Sequence, residues 1–192
     1  LGQYFNPLTS LYLFPRGEDF SDVAVYERYD DLSGVNTQYW PYGDLGGVSS
    51  QNPYWIMNRM NRENDRRRYK LAASLQYNII EGLNVQGRVS IDNTESKYTE
   101  KFHAGTVGNF AGPKGRYKEE NRLDRQVYAD VLANFNKTFN EFNVTANLGA
   151  SIKDLRMELT SLHGDLNNVT NHFTIENLTR SGYYKVNADG LK

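Results

Sequence analysis

The side chains of this chain with the clearest capacity to bind a ligand are five aromatic residues in its first third: Tyr39, Trp40, Tyr42, Tyr54 and Trp55. Flat rings stack on sugar rings or hold the side chains of a peptide, so the group is a candidate substrate-binding surface. The alternative is structural, because the same rings would pack an irregular loop against its neighbours or lie at a membrane interface. The sequence favours packing, since aromatic residues recur wherever such a loop needs a small core of its own.

A run of arginines just before the first clear strand is a second candidate for binding. Arginine pairs with phosphate through two parallel hydrogen bonds, so the run would suit an anionic substrate or the phosphates of lipopolysaccharide. Glu63 and Asp65 interrupt it, however, and a mixed-charge strand end at the outer surface is the simpler interpretation. The arginines are Arg59, Arg62, Arg66, Arg67 and Arg68.

No set of residues in the sequence is typical of catalysis or metal binding. His103, His163 and His172 are far apart and lack the spacing of metal ligands, and the chain has no cysteine. The sequence also lacks a nucleophile elbow, an H-E-x-x-H motif and a phosphate-binding loop. Glu119 and Glu120 are adjacent, which places them on opposite faces of a strand. We therefore expect no enzymatic activity, no metal and no cofactor.

The overall charge gives no reason to expect a nucleic-acid partner. The 192 residues include 22 basic and 23 acidic side chains, which gives a formal net charge of −1, and the basic residues are spread along the chain. No apolar run approaches the roughly 18 residues that a membrane-spanning helix needs. Membrane β-strands need only about 9–11 residues, with an apolar residue at every second position.

Two stretches, residues 69–92 and 127–152, alternate between apolar and polar residues, as β-hairpins with one apolar face do. The polar side carries charged residues and amides that would line a wet wall or bond to a neighbouring segment. In a transmembrane strand pair the apolar face would contact lipid and the polar face a water-filled lumen. The residues expected on the lumen side include Lys70, Gln76, Arg88, Asp92, Asp130, Asn143 and Lys153.

The connections between the predicted strands are alternately long and short, as in outer-membrane barrels, where periplasmic turns are short and extracellular loops are long. Residues 1–67 show no sustained period and are expected to form a long extracellular loop region, with a short strand near 23–29. Residues 68–192 are expected to form barrel strands of the same larger barrel domain. The strands are predicted at about 68–78, 83–95 or on to 102, 119–136, 142–153 and 183–187, with an irregular stretch at 155–181.

The composition of the apolar face favours lipid over a soluble core. Tyr69 and Tyr77 lie at its two ends, about 20 Å apart along the membrane normal if the strand is tilted, which is close to the height of an apolar band between aromatic girdles. Small residues such as Ala73 and Gly87 are common on this face, whereas a soluble core needs volume to fill it. The alternative is a soluble β-sandwich that binds glycans through exposed aromatic residues.

Several strings in the irregular stretches resemble one family, the SusC/RagA-like TonB-dependent outer-membrane transporters of Bacteroidetes. Each string alone is a weak signal, and the resemblance rests on the order and spacing of all of them. The resemblance extends, with gaps, over essentially the whole chain. The turn of the first hairpin, Glu81-Gly82-Leu83, and Gln38-Tyr39-Trp40 fit the same family. The strings are Tyr4-Phe5-Asn6-Pro7-Leu8, Leu11-Tyr12-Leu13-Phe14-Pro15-Arg16-Gly17, Asn52-Pro53-Tyr54-Trp55, Asn58-Arg59 and the segment from Asn167 to Asn177.

The resemblance implies an all-β fold, namely four or five strands of a 22-stranded transmembrane antiparallel barrel with long extracellular loops. It also implies a location in the cell outer membrane, contact with outer-membrane lipid, and a lid lipoprotein of the SusD type. The substrate would be an oligosaccharide or a peptide, imported with energy from TonB through a plug region that these residues do not include. The chain begins at Leu1 without an initiator methionine, and we expect it to be an excerpt from a longer protein. An enzyme acting on polysaccharide is the remaining class, and no residue set supports it.

Overall fold

The computed structural model describes residues 6–42 and 51–191, without the side chains of residues 180–184 and 189–191. Long strands dominate the part of the chain after residue 60. The helices and strands, in chain order, are α1 (Pro7–Tyr12), β1 (Glu27–Asp30), β2 (Val35–Gln38), α2 (Pro53–Arg59), β3 (Met60–Ile80), β4 (Leu83–His103), β5 (Gly115–Phe139), β6 (Phe142–Leu166) and β7 (Leu178–Leu191). Short 3₁₀ helices cover Phe20–Ala24 and Ile175–Asn177.

The strands form two sheets. β1 and β2 pair as an antiparallel hairpin in which Glu27 lies opposite Gln38 and Asp30 opposite Val35. The larger sheet has five strands in the order β3-β4-β5-β6-β7, so each strand is bonded to its neighbours in sequence. Antiparallel pairing of consecutive strands is how the wall of an up-and-down barrel is built, and the predicted fold class is confirmed.

Each of the two long hairpins is closed by a short turn of two residues. Glu81 and Gly82 connect β3 to β4, and Asn140 and Glu141 connect β5 to β6. Two-residue hairpin turns require positive φ angles, for which glycine and asparagine are the best suited residues. Gly82 has a φ of 82° and Asn140 a φ of 51°. Both turns lie within the short connections that the sequence predicts.

The strands extend further than the alternation of apolar residues predicts. β3 begins at Met60 rather than near residue 68, and β6 continues to Leu166 through the first part of the stretch predicted to be irregular. β7 is also longer than the predicted fifth strand at 183–187. In residues 61–68 of β3 both sides of the strand are polar, so a period of two leaves no trace in the sequence. In β6 the apolar residues move from even positions, up to Ile152, to odd positions from Leu155 onward, which ends the apolar face read from the sequence.

The prediction of a strand over residues 23–29 is wrong in its first half. Asp19 caps the 3₁₀ helix Phe20–Ala24 by accepting a hydrogen bond from the Ser21 amide at 2.9 Å, and the strand begins only at Glu27. A side chain that accepts from the amide two residues later favours a turn over an extended chain.

The chain folds as two compact units. The first contains residues 1–64, 97–120 and 161–184, and the second contains 65–96, 121–160 and 185–192. The first has an apolar core in which Trp55, Ile56, Met60, Phe102 and Ala111 pack together. The second consists of the parts of β3 to β6 that adjoin the two short turns, together with the end of β7. Within the described residues, no helix is both long enough and apolar enough to cross a bilayer.

The predicted division into residues 1–67 and 68–192 concerns the side of a membrane on which each part lies. The two units divide the chain by packing, which is a different property. The division at residue 67 therefore stays a prediction.

Candidate functional site

The second unit exposes one apolar face, formed by alternate residues from 69 to 79, 83 to 91, 127 to 135 and 142 to 152, with Phe139 beyond Lys137. Leu75 and Leu148 are each 77% exposed, and Tyr69 and Tyr77 at the ends of the β3 segment are 53% and 69% exposed. Exposed apolar patches larger than a few hundred Å² indicate a protein partner or a membrane. The other large exposed side chains of this face are Leu71, Ile79, Val89, Val131, Phe139, Phe142, Val144 and Ile152.

Among its described residues, the second unit also has no apolar core of its own. Every hydrophobic residue that is buried in the described part of the chain belongs to the first unit. A soluble β-sandwich buries the inner face of each sheet against the other, which this unit does not do. Its large apolar side chains therefore remain on the surface of the described structure.

The opposite, polar face of the second unit is crossed by ion pairs between neighbouring strands. Arg68 on β3 donates to both carboxylate oxygens of Asp92 on β4, at 2.9 and 2.6 Å. Arg88 on β4 bonds Asp130 on β5, at 2.9 Å from Nε to Oδ1. These residues alternate with the apolar ones, as the sequence predicts for Arg88, Asp92 and Asp130.

Amides continue the polar face toward the short turns. The Asn134 side chain on β5 donates to Oδ1 of Asn84 on β4 at 2.9 Å. Asn143 on β6 lies within 3.5 Å of the Thr138 hydroxyl on β5. The polar face thus carries hydrogen bonds between adjacent strands, with a few apolar side chains such as Leu132 among them.

A cavity of about 620 Å³ opens on the polar face of the second unit, at the end away from the short turns. β3, β4, β5, β6 and β7 all contribute residues to its lining, among them Arg66, Arg68, Asp92 and Asp124. The sequence does not reveal this cavity, because its wall combines residues of five strands, from Arg66 to Ala188. The signal that was available is the set of polar residues on the strands that alternate with the apolar face.

The five aromatic candidates all belong to the first unit, and they differ in accessibility. Trp40 is 1% exposed and Trp55 is 0% exposed. The Trp55 indole N–H donates to the Thr106 hydroxyl at 3.1 Å, which fixes the ring inside the core. Neither indole can stack on a ligand in this structure, and both serve the packing role that the sequence favours.

The three tyrosines of the group are partly exposed. Tyr39 lies beneath the Arg28 guanidinium, whose carbon is 3.4 Å from the ring centroid. Tyr42 packs edge-on against Phe14, and Tyr54 stacks on Tyr26 with centroids 6.5 Å apart. A role for these tyrosines in contacting substrate stays a prediction.

Asn52 holds the aromatic region together, although it is not among the candidate binding residues of the sequence. It is 0% exposed and precedes helix α2. Its side-chain amide donates to the carbonyls of Val23 at 2.9 Å and Tyr39 at 3.0 Å, while its Oδ1 accepts from the Tyr54 amide at 2.9 Å. An asparagine followed by proline is a helix-start signal that could have been recognised.

The arginine run splits into separate ion pairs rather than forming one anion site. Arg59 donates to both oxygens of Glu27, at 2.8 and 2.9 Å, and this hydrogen bonding holds the pKa of Glu27 below its usual value. Arg62 lies 3.3 Å from Glu100. Arg67 pairs with Asp65 at 3.1 Å on the exposed surface. The mixed-charge interpretation therefore describes most of the run.

The histidines do not assemble a metal site, since no group of three or more potential ligands occurs among the described residues. His103 is half-buried, and this burial lowers its pKa. Its Nδ1 is 3.0 Å from the Arg59 carbonyl oxygen, and its ring lies edge-on to Phe173 with centroids 4.9 Å apart. These contacts give His103 a structural place in the first unit.

The sequence matches no protein-family profile and no curated protein. Solved structures do resemble the fold. The chain matches the RagAB peptide transporter with a TM-score of 0.60 at 15% sequence identity, and it matches the RagAB peptide importer in the "open-open" state with a TM-score of 0.61. The "closed-closed" state gives 0.60. The fold is that of a segment of these chains.

The match covers 80% of this chain and 17% of the transporter chain. The chain thus spans about a sixth of the length of the structures it resembles. At 15% identity the likeness establishes the fold alone.

Proposed function

We propose that this chain is a wall segment, with its outer loops, of an outer-membrane transporter that imports a nutrient. The observation that carries the proposal is the exposed apolar face of the second unit, which lacks any apolar core in its described residues. Strands with one apolar face and one hydrogen-bonded polar face suit a barrel wall between lipid and a wet interior. The fold shared with the RagAB peptide transporter supports the same function.

The proposed cargo is a peptide or an oligosaccharide. The proposed partners are a SusD-like lipoprotein at the outer loops and TonB, which acts through a plug region outside this chain. In this proposal the chain has no catalytic role. The two edges of the five-stranded sheet, β3 and β7, would pair with further strands, because open edges are not tolerated in hydrocarbon.

The orientation of the strands can be tested by single-cysteine labelling, since these 192 residues contain no cysteine. A nitroxide would be attached at Leu75 or at its neighbour Gln76, in the complete gene product reconstituted in lipid. We expect the probe at position 75 to be accessible to oxygen dissolved in lipid, and the probe at 76 to a water-soluble nickel reagent. Equal access of the nickel reagent to both positions would contradict the proposal.

The transport role can be tested by deleting the gene and measuring growth. We expect the deletion strain to lose growth on one class of polymeric nutrient, either peptides or oligosaccharides, and to regain it when the gene is restored. A lipoprotein should copurify with the detergent-extracted protein. Unchanged growth on every nutrient of both classes would count against import.

A further inference from the structure

The cavity on the polar face of the second unit has the size of a ligand pocket, at about 620 Å³. Pockets of about 300–1,000 Å³ enclose most of the surface of a small organic ligand. Its wall combines charged groups with aliphatic ones. The residues on which the argument rests are Arg66, Arg68, Asp92, Asp124, Leu155 and Met157.

Both carboxylates of the wall are already neutralised by arginines. Asp92 accepts two hydrogen bonds from Arg68, at 2.9 and 2.6 Å. Asp124 accepts two from Arg122, at 2.7 and 3.0 Å. Each carboxylate is paired with one arginine, so the two pairs contribute little net charge to the cavity.

Arg66 differs from Arg68, the other arginine that β3 contributes to the wall. Its side chain is exposed, and among the residues that the structure describes it takes part in no ion pair. Arg125 and Arg156 also line the cavity, but each alternates with polar-face residues of its strand, so its side chain leaves the opposite side of the sheet. Of the two arginines that reach the cavity from the polar face, Arg68 is paired with Asp92 and Arg66 is not. A guanidinium presents parallel N–H groups that match the two oxygens of a carboxylate.

The remaining surface is aliphatic. Leu155 and Met157 are two residues apart on β6, so their side chains leave the same side of the strand into the cavity. No aromatic ring is among the described residues that line it. A sugar ring would lack a stacking surface there, whereas an aliphatic side chain would find the isobutyl and thioether groups it packs against.

We propose that this cavity binds a peptide segment in which a carboxylate lies next to an aliphatic side chain. Arg66 holds the carboxylate, and Leu155 and Met157 contact the aliphatic group. The inference rests on the proposed function, since it takes the polar face to border the path of imported cargo. It narrows that function to acidic peptide cargo and names the residue that selects it.

The test uses the complete gene product in detergent and two fluorescent pentapeptide amides, Ala-Leu-Glu-Leu-Ala and its Gln analogue, measured by fluorescence polarisation. The peptides differ by one negative charge, and we expect the Glu peptide to bind roughly tenfold more tightly, as a charge-assisted hydrogen bond predicts. Arg66→Gln should reduce this preference to about twofold or less, with affinity for the Gln peptide unchanged.

Arg67→Gln is the matched control. Arg67 is adjacent in sequence, lies on the opposite side of β3 and pairs with Asp65 at 3.1 Å. This variant should keep the roughly tenfold preference of the parent protein. Met157→Gln, a substitution of similar length, should weaken binding of both peptides equally, because it removes only the apolar contact.

Three results would overturn the site: no preference for the Glu peptide in the parent protein, a preference that survives Arg66→Gln, or binding of neither peptide by the inserted protein. The last would mean that another segment of the gene product fills the cavity. The nitroxide and growth experiments separate these failures from failure of the proposed function. A protein that inserts and imports, yet shows no dependence on Arg66, would retain the function without this site.

Discussion

At the scale of single residues, the first unit depends on buried polar groups that each satisfy several partners. Asn52 is the clearest case, since one side chain bonds three backbone groups from three different segments. Arg59 and Glu27 similarly join the end of α2 to the start of β1 through two hydrogen bonds. Such residues tie segments that share no regular secondary structure.

Asn52→Ala should destabilise the region around α2 by about 2–4 kcal/mol, because it removes a helix cap and leaves two buried carbonyls without donors. Hydrogen exchange of the α2 amides, followed by mass spectrometry, would measure this as faster local opening. Asn58→Ala is the control, since Asn58 is exposed and donates only to the Tyr54 carbonyl, at 2.8 Å. Equal exchange in the two variants would show that Asn52 is not a structural centre.

The Glu27–Arg59 pair makes the β1–β2 hairpin sensitive to pH. Hydrogen bonding to Arg59 lowers the pKa of Glu27 from its ordinary value of 4.5, so the pair stabilises fully above that value. The stabilisation is lost as the pH falls through the lowered pKa of the folded protein. Glu27→Gln should therefore speed exchange of the hairpin amides about fivefold at pH 7, for a loss of about 1 kcal/mol.

The exchange rate of the variant divided by that of the parent protein should fall toward one in acid. There Glu27 of the parent is protonated in both the folded and the unfolded state, so its charge no longer stabilises the fold. Asp65→Asn breaks a much more exposed pair, in which the Arg67 side chain is 80% and the Asp65 side chain 63% exposed, and should leave exchange nearly unchanged. A Glu27→Gln ratio that is constant with pH would rule out the ion pair as its cause.

At the scale of elements, the turns were easier to predict than the strand ends. The alternation of apolar and polar residues from Tyr69 to Tyr77 correctly predicts which side chains of β3 lie on the apolar face. Gly82 marks the turn that follows this strand. The start of β3 at Met60 was not predictable from that pattern, because Asn61 to Arg68 are polar on both sides. Helix α2 was missed although Asn52 and Pro53 are typical of a helix start.

Gly82→Ala should disrupt the β3–β4 turn for two separate reasons. Gly82 has a φ of 82°, which strains any residue with a side chain, and a methyl group there would collide with the Asn136 backbone carbonyl oxygen. We expect a loss of about 1–3 kcal/mol and a lower yield of folded protein, measured by heat-dependent gel mobility.

Gly87→Ala is the control from the same hairpin. A methyl group at position 87 would have Val131 Cγ2 as its nearest neighbour, at 3.9 Å, an ordinary contact. This variant should fold as well as the parent protein. If Gly82→Ala folds equally well, the turn does not need a left-handed residue.

At the scale of the whole molecule, the proposed function depends on what surrounds the apolar face. Leu148 lies in the middle of the β6 segment of that face and is 77% exposed. If lipid surrounds it, Leu148→Lys should destabilise the protein by about 2–4 kcal/mol, the cost of a lysine near the middle of the bilayer. Asn147→Lys, on the opposite face, should cost much less, since that face is wet.

Denaturant titration of the protein folded into vesicles would measure both variants. A similar small change for both would favour a surface in water. The sequence predicted the two faces because alternation is local, whereas the cavity beside Arg66 is assembled from five strands and needed coordinates. The aromatic candidates show the same limit, since nothing local distinguishes the buried Trp55 from the more accessible Tyr54.

One consequence follows from Asn171, whose φ of 57° lets it bridge two loops of the first unit. Its Oδ1 accepts from the Ala104 amide at 2.7 Å, its own amide donates to the Lys114 carbonyl at 3.0 Å, and Lys114 Nζ reaches the Asn167 carbonyl at 2.5 Å. The loops at 104–114 and 167–177 are therefore held together as one packed piece. A chimera that takes only one of these loops from another protein would lose the hydrogen bonds between them. A chimera that takes both loops together would keep those bonds.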